Sequence, residues 1–344
     1  MASSEALSHS KKLQNISEIT NYQEIFKNSM KCVCYASHLT RNAPIINPSI
    51  KSDLSPVTVY DIIIQMIFCK FLDGFPVTIV TEEENNEYYN RIYTDIHNNT
   101  TEEYIYIREF LKQNKIVLNN TSRRVFTQSF ISSDNITVIL DPIDGTKGFI
   151  NGRSYSTVVS CVKSDKVLFS IISCPKEGII YYKCNMAGSD GLLLGYPHRK
   201  RVKTLYINKS FKPTYKRFIK SLSLRIGISA ESDHSNSIQN EFISRISQVY
   251  TVHVKKLDGQ SKYACVAVQK LDLFIRIPRT RITEKVWDHC AGIDMNDLSI
   301  VTDLYGIPIT PCTPPVYGVI ASHSSIFHNL SISLLKVLLK DFNL

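Results

Sequence analysis

Apolar residues recur along the chain in two rhythms, one helical and one of short strand-length runs. Phe26, Met30 and Val33 stand at helical spacing between Asn21 and about His38 and predict a first helix. Val59, Ile62, Ile63, Met66, Ile67 and Phe71 fall at i, i+3, i+4, i+7, i+8 and i+12, a clearer second helix that Gly74 and Pro76 stop. Asp61 lies just inside its first turns. Ahead of both, residues 1–20 are polar and read as a loose arm. A short apolar run, Val77 to Val80, enters Thr81-Glu82-Glu83-Glu84, and Glu102 to Gln113 is the one helix expected in the Asn-, Tyr- and Glu-rich stretch that follows. Ile136 to Leu140 is a compact run of strand length ending in Asp141-Pro142, and Thr157 to Tyr196 reads as successive short strands.

Beyond about residue 197 strands and helices alternate. Leu224 to Ser229, Thr251 to Val254, Leu271 to Ile277, Ile300 to Asp303 and Val316 to Ala321 are strand-like. Between and after them, Ser237 to Ser247, Gln260 to Val268, a segment opened by Trp287, and Ser324 to Leu339 are helical. The fold class expected is therefore α/β, with an α+β first half over 21–196 and an alternating second half over 197–344.

Composition narrows the setting. The chain has 344 residues, 43% of them hydrophobic, and carries a net charge of +9, so its partner is expected to be anionic. No apolar stretch approaches the roughly 18 to 20 residues of a membrane span, and the first fourteen residues lack the apolar core of a signal peptide. Nine scattered cysteines, without a C-x-x-C pair, fit a reduced, cytoplasmic chain better than a disulfide-stapled one. Walker, H-E-x-x-H and G-x-S-x-G motifs are lacking, and His198 to Lys203 is the only dense basic run, read as a solvated loop.

The chemistry gathers around Asp141-Pro142-Ile143-Asp144-Gly145-Thr146, placed where a strand leaves the sheet. Pro142 fixes φ and Gly145 tolerates a positive φ, so carbonyls and both carboxylates can turn toward one point, a donor set that suits Mg²⁺. Alone, D-x-x-D-G is the composition of an ordinary turn. Glu82, after its own apolar run, and Asp288, at a helix start after Trp287, occupy comparable settings. Taken singly, each has a plain reading: Glu82 as part of a solvated charge run, which applies well to Glu83 or Glu84, and Asp288 as a helix N-terminal charge worth about 0.3 to 1 kcal/mol.

Taken in order, the signatures resemble a known family. Ser55-Pro56-Val57-Thr58 with Asp61, Glu82-Glu83, Asp141 through Phe149 (D-P-I-D-G-T-K-G-F), and Trp287-Asp288-His289-Cys290-Ala291-Gly292 are similar to the lithium-sensitive, metal-dependent phosphomonoesterases related to inositol monophosphatase. Lys147-Gly148 gives the loop the form found in the 3'(2'),5'-bisphosphate nucleotidases of that superfamily. The resemblance runs from about Ser52 to Ser322.

The resemblance implies a layered α-β-α-β-α fold with the site between its halves. It places the metal ligands on Glu82, Asp141, the Ile143 carbonyl, Asp144 and Asp288, holding two or three Mg²⁺ ions. The water-activating pair falls on Asp61 and Thr146, expected to be hydrogen-bonded to each other. Substrate contacts fall on His234, Gly259, Lys262 and Arg276, with Thr146 and Asp288 also meeting substrate. Arg276 interrupts an otherwise apolar run, and a charge so placed commonly has a partner. Two bare carboxylates about 4 Å apart repel by about 4 kcal/mol at an effective dielectric of 20, so such a cluster needs cations or protons to persist.

The chain departs from the family pattern at Thr81, at Gly259, and at Asn296-Asp297-Leu298-Ser299. The activity implied is hydrolysis of the 3'-phosphate of adenosine 3',5'-bisphosphate to AMP, with the sulfated analogue as a second substrate and a place in sulfur metabolism. The alternatives are an inositol polyphosphate 1-phosphatase or inositol monophosphatase-like activity and a non-catalytic phosphate-ligand sensor. The expected partner is the small nucleotide bisphosphate, with no nucleic-acid polymer or membrane, and the chain is expected to be a monomer.

Overall fold

The computed structural model describes residues 2–44, 48–51, 55–83, 86–118, 125–126, 135–186, 191–195, 205–208, 223–230, 237–278, 284–296, 299–313 and 317–341. Helix α1 (Ala2–Arg41) buries Ile25, Cys32, Val33, Ala36 and Leu39 along one stripe. The arm expected over 1–20 is instead helical backbone from Ala2 onward. Extending a helix already anchored by packing costs far less than nucleating one, so weak periodicity does not stop it.

A short antiparallel pair, β1 (Ser49–Ile50) and β2 (Pro56–Val57), leads into α2 (Val59–Leu72). Thr58 caps α2, and Asp61 closes the capping box by accepting from the Thr58 amide. The chain continues through β3 (Val77–Thr81), α3 (Asn86–Asn98), α4 (Glu102–Gln113), β4 (Val125–Phe126) and β5 (Ile136–Asp144). Helix α3 is additional to the single helix expected in this stretch. Its signal lies in Tyr89, Ile92 and Ile96, buried at i, i+3 and i+7 among polar neighbours. After α5 (Thr146–Ile150), the strands β6 (Ser156–Lys163), β7 (Lys166–Cys174), β8 (Ile179–Cys184), β9 (Gly191–Gly195) and β10 (Leu205–Asn208) form an antiparallel meander.

The second half comprises β11 (Ser223–Ser229), α6 (Ser237–Ser247), β12 (Thr251–Leu257), α7 (Ser261–Ala267) and β13 (Leu273–Arg276). A 3-10 turn at Val286–Asp288 then precedes α8 (Cys290–Met295), β14 (Ile300–Thr302), β15 (Val319–Ser322) and α9 (Ser325–Asp341). Trp287 therefore stands in a tight turn, and the α-helix starts only at Cys290.

Two sheets stack in this order. The eight-stranded sheet runs β10-β9-β8-β7-β6-β5-β3-β4, and the five-stranded sheet β12-β11-β13-β15-β14. Helices α1 and α2 cover one face of the large sheet, and α7 and α8 lie between it and the small sheet, packing on β7 and on β13 and β15. Helices α6 and α9 close the far side. The layers are thus α-β-α-β-α, as expected. Separate apolar clusters fill the successive seams: Phe68 and Phe169 under α1 and α2, Val158, Ile172 and Ala264 under α7, and Phe242, Ile320 and Leu335 under α6 and α9.

The candidate metal centre and its cavity

Each acidic residue reaches the centre from the end of a different element. Strand β5 continues past Leu140 through Asp141 to Asp144, farther than its apolar run indicates, and its pairing with β6 shifts register between those two aspartates. Such a bulge re-aims side chains. It brings Asp141 and Asp144 together with Asp288 of the 3-10 turn, their carboxylate oxygens within 4.8 Å of one another. Glu82 follows β3, the parallel neighbour of β5.

The cavity these groups line measures about 630 Å³ and opens between the two sheets' strand ends. Glu82, Asp141, Ile143, Asp144, Thr146, Gly259, Lys262, Arg276 and Asp288 all line it. Asp61 is fully buried and does not line the cavity. His234, like Glu84 and the basic run from His198 to Lys203, lies outside the described residues.

Burial dominates the electrostatics. It pushes the Asp144 carboxyl up to about 7, with Asp288 adding repulsion while Lys262 and the Gln260 amide oppose it. Burial also raises Asp141 well above the ordinary carboxyl range, reinforced by Glu82, Asp144, Asp288 and Asp61. Asp61 is raised to about 7 by burial, although Thr58 donates to its Oδ2 from both amide (2.8 Å) and hydroxyl (2.6 Å). Asp61 Oδ1 and Asp141 Oδ1 are buried without a hydrogen-bond partner. The orphaned Asp141 oxygen, beside the other hard-oxygen donors of the cavity, fits a divalent cation such as Mg²⁺, which would satisfy it and relieve the repulsion.

Two expectations need correction. Thr146 Oγ1 donates to the Ile143 carbonyl at 3.0 Å, and no bond joins it to Asp61, whose Oδ2 is taken up by Thr58. Both hydroxyls bond locally because a threonine at a turn or cap finds nearby backbone and carboxylate partners first. Glu83 is not part of a solvated run: it is 6% exposed and bonds Lys51 Nζ at 2.6 Å, the same ammonium that meets Glu82 at 2.7 Å. Burial would lower the Lys51 pKa, and the two glutamates overcome it and raise it.

The departures from the family pattern have physical settings. Thr81 donates to Gln65, whose amide nitrogen donates to the Glu83 carbonyl, so the residue before Glu82 is held by α2. Gly259 has φ +68°, and a Cβ there would stand 2.6 Å from the Asp144 carbonyl and 2.7 Å from Ser156 Oγ. Asn296 ties the end of α8 to the Tyr263 carbonyl of α7 at 3.0 Å.

Arg276 and Lys262 share the cavity with the carboxylates. Arg276 Nη2 bonds Glu284 at 2.8 Å, Glu284 lies 3.4 Å from His289, and Tyr263 and His289 are hydrogen-bonded at 2.7 Å. Lys262 Nζ donates to the Leu257 carbonyl at 3.0 Å. Arg153 Nε donates to Asp258 Oδ2 at 2.9 Å and fastens the loop after α5 to the loop before α7. Lys51, Asp258 and Glu284 were not among the expected site residues. Lys51 and Asp258 gain their places only through partners 31 and 105 positions away.

A layered fold in which buried carboxylates share one cavity with arginine and lysine defines a class of site whose residues suit a phosphate group and a divalent cation. Comparison with known proteins gives the class its name: residues 54–331 match the inositol monophosphatase family, and the chain belongs to it. It is a phosphatase of that superfamily, a phosphoric monoester hydrolase. Among its relatives, the 3'(2'),5'-bisphosphate nucleotidase of Schizosaccharomyces pombe is 26% identical over 317 residues, covering 85% of this chain and 87% of the relative. A Candida albicans 3'(2'),5'-bisphosphate nucleotidase 1 is 28% identical over 309 residues, covering 80% and 83%. The solved Thermotoga maritima IMPase shares the fold with a TM-score of 0.61 at 17% identity, covering 92% of this chain and 98% of that one. An IMPase/NADP phosphatase complexed with Mg²⁺ and phosphate aligns with a TM-score of 0.55 at 16% identity, covering 94% and 95%. Among the described residues no helix is long and apolar enough to cross a membrane.

Proposed function

We propose that the chain is a Mg²⁺-dependent 3'(2'),5'-bisphosphate nucleotidase that removes the 3'-phosphate of adenosine 3',5'-bisphosphate, leaving AMP and phosphate. The observation that carries this reading is the cavity in which Asp141, Asp144 and Asp288 converge and which Lys262 and Arg276 also line. Glu82, Asp141, the Ile143 carbonyl, Asp144 and Asp288 would hold two or three Mg²⁺ ions. Bound there, Mg²⁺ lowers the pKa of water and neutralises charge developing on phosphate and leaving oxygens.

The chain's own residues supply orientation and proton transfer. Thr146 Oγ1, its hydrogen committed to the Ile143 carbonyl, keeps lone pairs to accept a hydrogen bond from the attacking water. Asp61, with an unbonded Oδ1 and a carboxyl near 7, suits the role of proton acceptor at neutral pH. Lys262 and Arg276 neutralise a substrate carrying about −1.5 to −2 per phosphate group. His234 completes the substrate contacts in this reading, and the Gly259 backbone makes way beside Asp144. The nine free thiols accord with a reduced, cytoplasmic setting.

Phosphate release tests the proposal. Adenosine 3',5'-bisphosphate and inositol 1,4-bisphosphate are supplied separately, with Mg²⁺ or with EDTA. The expected result is Mg²⁺-dependent release from the nucleotide, inhibited by Li⁺. Release from the inositol phosphate alone would move the assignment to an inositol phosphatase, and none from either would favour a phosphate-ligand sensor.

A further inference from the structure

We infer that Gln260 is a positioning residue that sets the separation between Asp144 and Asp288 and thereby tunes the centre for a small divalent cation. The inference rests on the metal-centre reading above and concerns a residue that is not itself a ligand in that reading.

Three hydrogen bonds meet at this residue, which is 2% exposed. Its backbone amide donates to Asp144 Oδ2. Its side-chain nitrogen Nε2 donates to the Trp287 carbonyl at 2.7 Å, and its Oε1 accepts from the Gly292 amide at 2.9 Å. Trp287 precedes Asp288 directly, and Gly292 stands in the first turn of α8, so the carboxamide brackets the segment that presents Asp288. One residue therefore links the strand-end carboxylate of the large sheet to the turn carboxylate from the second half, whose ligand oxygens lie within 4.8 Å of each other.

The residue type follows from that task. A carboxamide carries its donor and its acceptor on two separate atoms at the end of a flexible side chain, as the bonds to Trp287 and Gly292 require; a glutamate carboxylate offers acceptors alone and methionine only a weakly accepting sulfur. The surroundings leave little slack to compensate. Gly259, immediately before it, has no room for a side chain against Asp144, and a Cβ at Gly292 would collide with the Tyr263 ring. Separation matters because Mg²⁺ demands near-ideal octahedral geometry at about 2.0 to 2.1 Å, whereas Ca²⁺ accepts flexible coordination at about 2.3 to 2.6 Å. Loosening one carboxylate relative to the other should penalise the stricter ion more.

The test compares Mg²⁺ and Ca²⁺ dissociation constants by calorimetry for the full chain and for Gln260→Met, which keeps the backbone amide and removes both side-chain bonds. Gln260→Glu, which retains an acceptor for Gly292 and repels the Trp287 carbonyl, is the second variant should the first fail to fold. Melting in EDTA reports folding independently of the ions. The expected result is a folded variant whose Mg²⁺ binding weakens on the order of 10- to 100-fold, the effect typical of residues that support a metal ligand. The Mg²⁺-over-Ca²⁺ preference should fall by about tenfold. A folded variant whose preference stays within threefold of the parent overturns the inference, because a residue that only packs α7 against α8 would leave ion discrimination alone. Absence of Mg²⁺ binding in the parent chain would instead count against the metal-centre reading.

Discussion

Asp144 illustrates how a single side chain carries several demands. It is raised to about 7 by burial and by Asp288, accepts the Gln260 amide, and stands against Gly259. Asp144→Asn preserves shape and removes an anionic ligand, so Mg²⁺-dependent phosphate release should fall by on the order of 100-fold or more while the circular dichroism spectrum is kept. Gly259→Ser is expected to act through the backbone: an L-residue at φ +68° costs about 1 to 2 kcal/mol, before its Cβ displaces Asp144. Urea unfolding should register that loss, together with weaker Mg²⁺ binding. The motif residues at this centre were legible through the family resemblance of the ordered signatures, since by type and local spacing alone each has an ordinary reading. The hydrogen bonds that hold them were not, since Lys51, Gln260 and Glu284 are common residue types whose partners lie elsewhere in the chain.

Among the elements, the helices with an apolar stripe declared themselves and those with a diluted stripe did not. Helix α2 is predicted with nearly its observed bounds because its buried face is almost uninterrupted. Helix α3 is hidden by tyrosines and asparagines, yet Ile92 and Ile96 bury fully enough to hold it. Strand β5 outruns its apolar segment because pairing with β6, rather than hydrophobicity, carries it past Leu140, where its pairing with β3 ends, to Asp144. The layers also separate stability from chemistry. Phe242 of α6 is fully buried in the outer seam, so Phe242→Ala should destabilise the chain by about 3 to 5 kcal/mol in urea, leaving the Mg²⁺ dissociation constant of the folded protein within twofold.

For the whole molecule, the acidic centre makes stability depend on pH and on cations together. Asp61 and Asp144 stand near 7 and Glu83 near 8 in the folded chain, above the ordinary carboxyl range. Folded protein thus retains protons that unfolded chain has released, and this contribution is fully present below about pH 4 and lost as pH rises toward 8. In EDTA the melting temperature should fall between pH 5 and pH 8, and the increase produced by Mg²⁺ should be larger at pH 8, where protons no longer compete. A Mg²⁺-induced shift that is equal at both pH values would contradict the buried, proton-sharing cluster. The net charge of +9 gives little guidance to this centre, which is locally acidic, with Lys147, Lys262 and Arg276 among the residues that line the cavity. Periodicity determined the fold class, and the family resemblance of the ordered signatures pointed to the candidate carboxylates, because each element and each signature depends on residues near one another in the chain. The convergence of β5 with the Asp288 turn, the Lys51 bridge between two glutamates and the three bonds of Gln260 belong to folding itself, which joins positions whose spacing carries no local signal.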